Sequence, residues 1–378
     1  MGKRWNRRKL LAFLTGLGLG GAALFVHSPR FGALPDSEEK ARFAQSLHFR
    51  HGRFCNTLAT SVLAKGESSV KIWLDFLFGP KRERLVPKEP LPVVKSDFWR
   101  LAQGADCLVW LGHSSFFLHF AGLNILIDPV LSSYAAPLPL AVRAFPGTSV
   151  FHASDFPPLD LLLISHDHWD HLDYATLQAL LPKTARVVTG LGVGAHLRRF
   201  GCPEEKIHEA DWGDSLRFGE LSVHVTCARH FSGRFLTRDA SLWVGFALQG
   251  PQHKLFFSGD SGYGPHFAEI GQQFGGFDLV LLDMGQYNSR WPDIHMCPEQ
   301  TAQAADDLQA RALVPTHVGR FCISTHPWDE PFLRMAKAAQ NHNFAMLSPR
   351  IGETLFFDRT MPFPCVVAGQ SLSGVHVF

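Results

Sequence analysis

The chain has 378 residues, 36 Lys plus Arg against 34 Asp plus Glu, 20 His, and 46% hydrophobic residues. Such a composition supports a large buried core and excludes both a disordered chain and a multi-span membrane protein. The net charge of +2 gives no basis for a nucleic-acid partner. Five of the cations, Lys3, Arg4, Arg7, Arg8 and Lys9, stand before residue 10, which leaves the body with 31 basic against 34 acidic groups.

Leu10 to Val26 is a charge-free run of 17 residues behind that basic start. At 1.5 Å per residue it falls slightly short of a ~30 Å hydrocarbon core. Residues 1–30 therefore read as a signal peptide or an uncleaved N-terminal membrane anchor, with a twin-arginine resemblance at Arg7-Arg8. The positive-inside rule keeps the tail cytoplasmic and places the body on the periplasmic side of a bacterial inner membrane, or in the periplasm. Residues 31–104, with Pro80, Pro87, Pro90 and Pro92 closely spaced, read as an extended arm wrapping the core. The seven cysteines are scattered with no CxxC pair, which argues for free thiols rather than a disulfide framework.

From Cys107 short apolar runs recur: Cys107–Leu111, Phe116–Phe120, Asn124–Ile127, Leu161–Ile164, Arg186–Thr189, Leu221–Thr226, Leu242–Leu248, Lys254–Phe257, Leu279–Leu282 and Ala312–Val314. Helix-like stretches interleave at Tyr174–Leu181, Gly194–Phe200, Pro265–Phe274, Pro298–Ala310 and Pro331–Asn341. The early strands form a hairpin series and the later ones alternate with helices, so the fold class is α/β with mixed, layered sheets over residues 105–360. Residues 361–378 are a C-terminal tail.

Four of these strands deliver a polar residue at their C-terminal end: His166, His230, Asp260 and His317. In α/β sheets that is the edge where sites assemble. The first leads into His166-Asp167-His168-Trp169-Asp170-His171. In an extended turn His166 and His168 point the same way and can reach one metal, while Asp170 and His171 turn toward a second. Imidazole and carboxylate ligands suit Zn²⁺, with Fe²⁺ or Mn²⁺ as competitors.

His166-x-His168-x-Asp170-His171, then His230, Asp260 and His317, resemble the ligand signature of the metallo-β-lactamase superfamily. Within it the chain looks like the N-acylphosphatidylethanolamine-hydrolysing phospholipase D group over roughly residues 50–350. Gly52–Thr57, Trp110–Ser115, Leu126–Val130, Phe257–Tyr263, Gly285–Trp291 and Thr316–Gly319 carry that likeness. The resemblance implies an αβ/βα four-layer sandwich. It also implies two Zn²⁺, one on His166, His168 and His230, the other on Asp170, His171 and His317, with Asp260 bridging. A hydroxide shared by the metals would attack a phosphodiester, Asp170 would orient it, and His295 would stand near the substrate phosphate. Two departures, Ile294 and Phe231-Ser232-Gly233-Arg234, fall near where a head group would sit.

His113 and Asp128 are expected to orient ligands rather than bind metal. Gly259-Asp260-Ser261-Gly262 mimics a serine-hydrolase string without a Ser/His/Asp context, and Gly190-Leu191-Gly192-Val193-Gly194 lacks nucleotide-loop spacing. Phe231 and Phe321 are candidates for an acyl-chain groove. The expected function is zinc-dependent hydrolysis of a phosphodiester, a phospholipid, at a membrane surface, with phosphatidate released and a homodimer allowed. The rival in the same fold is a lactonase or other acyl-bond hydrolase. The rival of another class is a non-catalytic, metal-stabilised, membrane-associated binding protein.

Overall fold

The computed structural model describes residues 25–79, 83–138, 141–234 and 237–357. The expected membrane address up to residue 24 and the whole C-terminal tail lie outside the described residues. Among the described residues no helix is long and apolar enough to cross a membrane.

A short hairpin, β1 (Phe49–Arg50) and β2 (Arg53–Phe54), precedes the first large sheet. There β3 (Cys107–Trp110), β4 (Phe116–Phe120) and β5 (Leu123–Ile127) run antiparallel. β6 (Leu159–Ile164), β7 (Thr184–Gly190) and β8 (Ile207–Ala210) follow in parallel. The second sheet opens with antiparallel β9 (Ser215–Phe218), β10 (Leu221–Thr226), β11 (Gly245–Gln249) and β12 (Lys254–Phe257). It continues in parallel through β13 (Phe277–Asp283), β14 (Ala310–Thr316) and β15 (Ala345–Met346). β16 (Thr354–Phe356) crosses back to pair with β3. Each sheet has seven strands, ordered β16-β3-β4-β5-β6-β7-β8 and β15-β14-β13-β12-β11-β10-β9.

The sheets face each other over one continuous core, where the rings of Phe116 on β4 and Phe257 on β12 meet at 6.2 Å. Every residue of β3 and β4 is buried, which is why these strands read as unbroken apolar runs rather than as an alternation. Helices cover the sheets. α4 (Tyr174–Leu180) follows β6, α5 (Gly194–Arg199) packs on β8, and α6 (His266–Phe274), α7 (Pro298–Asp307) and α8 (Glu330–Ala338) pack in succession on the second sheet's side. α7 begins at Pro298 as expected but ends at Asp307, because Ala310 already belongs to β14.

The arm is less extended than its prolines imply. It contains α1 (Ser37–Phe43), α2 (Ser69–Phe78) and α3 (Phe98–Leu101). Asp36, Ser68 and Asp97 cap them by accepting from Glu39, Lys71 and Arg100 N–H groups, so local capping starts helices that hydrophobic pattern alone does not announce. Pro87, Pro90 and Pro92 follow α2, in an irregular stretch tied down by Leu91 N–H to Pro146 O and Val94 N–H to Ile351 O.

Candidate metal centre

β6, β10, β12 and β14 end at the same edge of the sandwich, and His166, His230, Asp260 and His317 follow them there. After β6 the chain turns at His168, whose carbonyl accepts from His171 and Leu172 N–H. That turn sends His166 and His168 one way and Asp170 and His171 the other. Asp167, between them, is buried and faces away. It accepts from Gly233 N–H at 2.7 Å and Ser241 Oγ at 3.0 Å, and pairs with His196 Nε2 at 3.2 Å, pinning the turn to the loop after β10.

Two groups of ligand atoms result. In the first, His168 Nδ1 lies 2.9 Å from His166 Nε2 and 3.2 Å from His230 Nε2. In the second, Asp170 Oδ2 lies 3.1 Å from His317 Nε2 and 3.5 Å from His171 Nε2. Asp260 touches both: Oδ1 is 3.2 Å from His171 Nε2, and Oδ2 is 3.3 Å from His317 Nε2 and 3.7 Å from both His166 and His230 Nε2. The structure thus brings these seven side chains together, with His166, His168 and His230 on one side, Asp170, His171 and His317 on the other, and Asp260 between them.

Burial holds His166 and His230 well below the ordinary imidazole value and also lowers His168, so these three are neutral and ready to donate lone pairs. Burial opposes charge on His171 and His317 as well. There the carboxylates win: Asp260 and Asp170 raise His171 well above its usual value, and Asp260 and Asp283 raise His317 to about 10. A divalent cation entering this group would displace those protons. The donor set fits such an ion. His171 Nε2 and Asp260 Oδ1 are fully buried, face each other, and have no hydrogen-bond partner. Orphaned buried polar atoms are costly, and a cation between them removes the cost.

Around the ligands stand the residues that aim them. Asp128, buried behind β5, takes His171 Nδ1 at 2.7 Å and accepts from Ser165 N–H at 2.7 Å, which turns His171 Nε2 inward. His113 Nε2 lies 2.9 Å from Asp170 Oδ2, and its ring lies tilted against His317 with centroids 4.4 Å apart. Asp283 at the end of β13 escaped the sequence reading because the strand was expected to stop at Leu282. It holds His295 Nδ1 at 2.8 Å, lies 3.3 Å from His317 Nδ1, and accepts from Ser261 N–H. The strand-end pattern that found Asp260 would have found it too. His113, Asp128 and His317 have left-handed backbones, with φ of 55°, 40° and 62°. Such non-glycine strain costs about 1–3 kcal/mol per residue and gathers where a site demands it.

Asp128→Asn keeps the shape but removes the charged acceptor of His171. Metal affinity or turnover is expected to fall about 10–100-fold. Metal content after dialysis, measured beside kcat/KM, checks this; retention of both at wild-type level contradicts the orienting role.

Several expected features take different roles. Arg234, near the presumed head-group region, is buried. It donates to the carbonyls of Asp167, Leu172 and Arg30 and stacks over Trp169 at 4.0 Å, so it holds the turn and cannot greet a substrate. Phe321 is buried with its ring on His113, which removes it from an acyl groove, whereas Phe231 packs on His168 at 4.5 Å and is partly exposed. Ser261 does have an imidazole neighbour, His266 Nε2 at 3.2 Å, but Ser261 is fully buried and its Oγ accepts from Arg229 N–H, so it is no nucleophile. In the glycine loop Gly192 and Gly194 N–H donate to Glu209 Oε1, which fills the place a phosphate would take.

Residues 123–318 match the family described as the Beta-lactamase superfamily domain. A protein of Mycobacterium tuberculosis, named only as uncharacterized, is 37% identical over 313 residues, 82% of this chain and 84% of that protein. The chain belongs to the metallo-β-lactamase superfamily. It is a metal-dependent hydrolase of that superfamily, with its buried His/Asp cluster in place. The mitochondrial N-acyl-phosphatidylethanolamine-hydrolyzing phospholipase D of Saccharomyces cerevisiae is 30% identical over 272 residues, 68% of this chain and 58% of that enzyme. Among solved structures, the metallo hydrolase Igni18 of Ignicoccus hospitalis shares the metallo-β-lactamase fold with a TM-score of 0.52 at 22% identity, over 68% of this chain and 99% of that one.

Proposed function

We propose that the chain is a two-zinc phosphodiesterase that cleaves phospholipids of the N-acylphosphatidylethanolamine type in the phospholipase D sense, releasing phosphatidate. The observation that carries this reading is His295. Its Nδ1 is fixed on Asp283, and its ring stands 4.9 Å from His230 and 4.8 Å from His317, on the ligand set itself. With Nδ1–H donating to the carboxylate, Nε2 remains free to exchange a proton with a substrate oxygen. His166, His168 and His230 would hold one Zn²⁺, Asp170, His171 and His317 the other, with Asp260 shared; Fe²⁺ or Mn²⁺ are the competing ions. Two such ions supply an activated water at neutral pH and positive charge for a phosphodiester's developing negative charge. Asp170, held by His113, keeps the turn of the motif aligned, and Asp283 keeps His295 aimed. The yeast relative's name supports the lipid class.

A membrane-borne substrate also suits α2. Val70, Leu74 and Phe78, four residues apart, are 68%, 51% and 66% exposed along one face of the helix. Arg290 binds Glu67 at 2.9 Å and Asp75 at 2.8 Å, tying α2 to the loop that carries His295. Arg238 reaches Ser69 and lies over Phe231, adding a cation between the helix and the metal centre. An apolar helix face beside basic groups fits an anionic bilayer, the inner membrane's periplasmic surface in this reading. Leu74→Ser combined with Phe78→Ser is expected to lower binding to phosphatidylglycerol vesicles about tenfold or more, at roughly 1 kcal/mol or more per buried side chain. Hydrolysis of a water-soluble diester should be unchanged; unaltered vesicle sedimentation refutes the docking face.

The function itself is tested with a bis-aryl phosphodiester, an N-acylated phosphatidylethanolamine and a lactone offered to the zinc-loaded protein. Release of phosphatidate from the lipid is expected. Turnover of the lactone alone would make the chain an acyl-bond hydrolase, and binding without turnover of any of them would make it a binding protein.

A further inference from the structure

The protein also carries a cavity apart from the metal centre. A cavity of about 430 Å³ lies between α6, β10 and the arm, lined by Trp212, His48, His224 and Phe274 among others, and shares no residue with the ligand set. That volume falls within the ~300–1,000 Å³ of pockets that hold small molecules. Four of its five aromatic rings come in two pairs, His48 against Trp212 at 4.4 Å and His224 against Phe274 at 5.0 Å, and His266 is the fifth. Neither Lys nor Arg lines it, and Glu269 on α6 is the one lining residue with a full charge. Burial lowers His48 and His224 and takes His266 down to about 4, so the imidazoles add no positive charge near pH 7. Cys227, pushed up to about 12 by burial, stays a neutral thiol. The nearby Arg229 is spent elsewhere: its guanidinium donates to Tyr263 O, Ala59 O and Thr60 Oγ1 and pairs with Asp293.

We infer that this cavity is a binding site for a small organic ammonium ion, its cationic head between Glu269 and the ring of Trp212 and its apolar part against Phe274 and Ile270. Aromatic faces attract a cation through their quadrupoles, Trp best of all, and quaternary ammonium groups are the ions they favour. The carboxylate supplies the countercharge, and the absence of a lining cation removes the repulsion that would otherwise cancel it. An anion would meet the opposite: Glu269 against it and no donor of full positive charge. The site is distinct from the chemistry but not remote from it. His266, in its wall, pairs with Ser261, the residue after Asp260, and β10 leads from the cavity to His230.

The test uses calorimetric titration of the full-length, metal-loaded protein with benzyltrimethylammonium, benzyl alcohol and phenylacetate, three probes of similar shape and different charge. Saturable binding of one ammonium ion per chain is expected, at least tenfold tighter than either of the others. Glu269→Gln should weaken it about tenfold while leaving metal content and diester hydrolysis unchanged, and Trp212→Leu should weaken it further. Glu269 is exposed at the rim, so its substitution leaves the fold intact and decides the matter even if the Trp212 variant does not fold. Equal or tighter binding of phenylacetate, or an unchanged affinity in Glu269→Gln, overturns the assignment.

Discussion

Asp260→Ala is expected to strip the protein of metal and abolish its hydrolase activity. The carboxylate stands between the two halves of the centre, with oxygens 3.2 Å from His171, 3.3 Å from His317 and 3.7 Å from His166 and His230. A four-ligand zinc site is worth about 10–16 kcal/mol, so each ligand carries about 3 kcal/mol, roughly a hundredfold in affinity, and a bridging ligand loses that much at two sites. Its removal also leaves four imidazoles facing one another without their shared counter-charge. His171 and His317, now held above their ordinary values by Asp260 among others, would lose much of that support. Metal analysis should fall from about two equivalents per chain to one or none, with activity lost in parallel. An Asp260→Ala protein that keeps two equivalents would show that the cluster holds its ions in some other way.

His295→Ala is expected to do the reverse: metal stays and rate goes. His295 is not among the seven ligands, and the atom it engages is Asp283 Oδ2, at 2.8 Å. A positioned imidazole that transfers a proton contributes about 10²–10⁴-fold, so kcat on a phospholipid should fall by that factor with KM changed little. The loss should be smaller on a diester whose leaving group is an aryl oxide, because that group departs without a proton. Asp283→Asn should reproduce part of the loss through a misaimed ring. Equal loss on the lipid and the aryl diester would assign His295 to binding rather than to proton transfer, and loss of metal in His295→Ala would place it among the ligands.

The strands were legible because of their burial. β4 and β12 fall on the residues expected, since chains buried on both faces are written in continuous apolar residues that no surface requirement interrupts, and β10 does so on an alternation of buried and half-buried residues. β9 was not legible: it alternates between exposed and half-buried positions at a sheet edge, and Ser215 and Arg217 read as loop. α1 was hidden for a related reason, because a capped helix on the surface needs little apolar pattern.

The motif His166-x-His168-x-Asp170-His171 by itself determined that metal would be bound, since its spacing and donor types leave few other uses, and strand-end positions supplied His230, Asp260 and His317. The sequence also marked His113 and Asp128 as orienting residues, but which ligand each aims, and the part played by Asp283, were decided only by the tertiary structure. Asp128, His113 and Asp283 come from β5, the loop after β3 and the end of β13, and a residue's value as an orienting partner depends on which sheet edge it reaches, not on its neighbours in the chain. The same holds for charge. Glu269, His48 and Trp212 are 221 positions apart at the extremes and unremarkable in sequence, and only the packing of α6 and the arm against β10 gathers them around one cavity. Local pattern records what each segment must bury; which polar groups then meet across the interior is set by the closure of the two sheets.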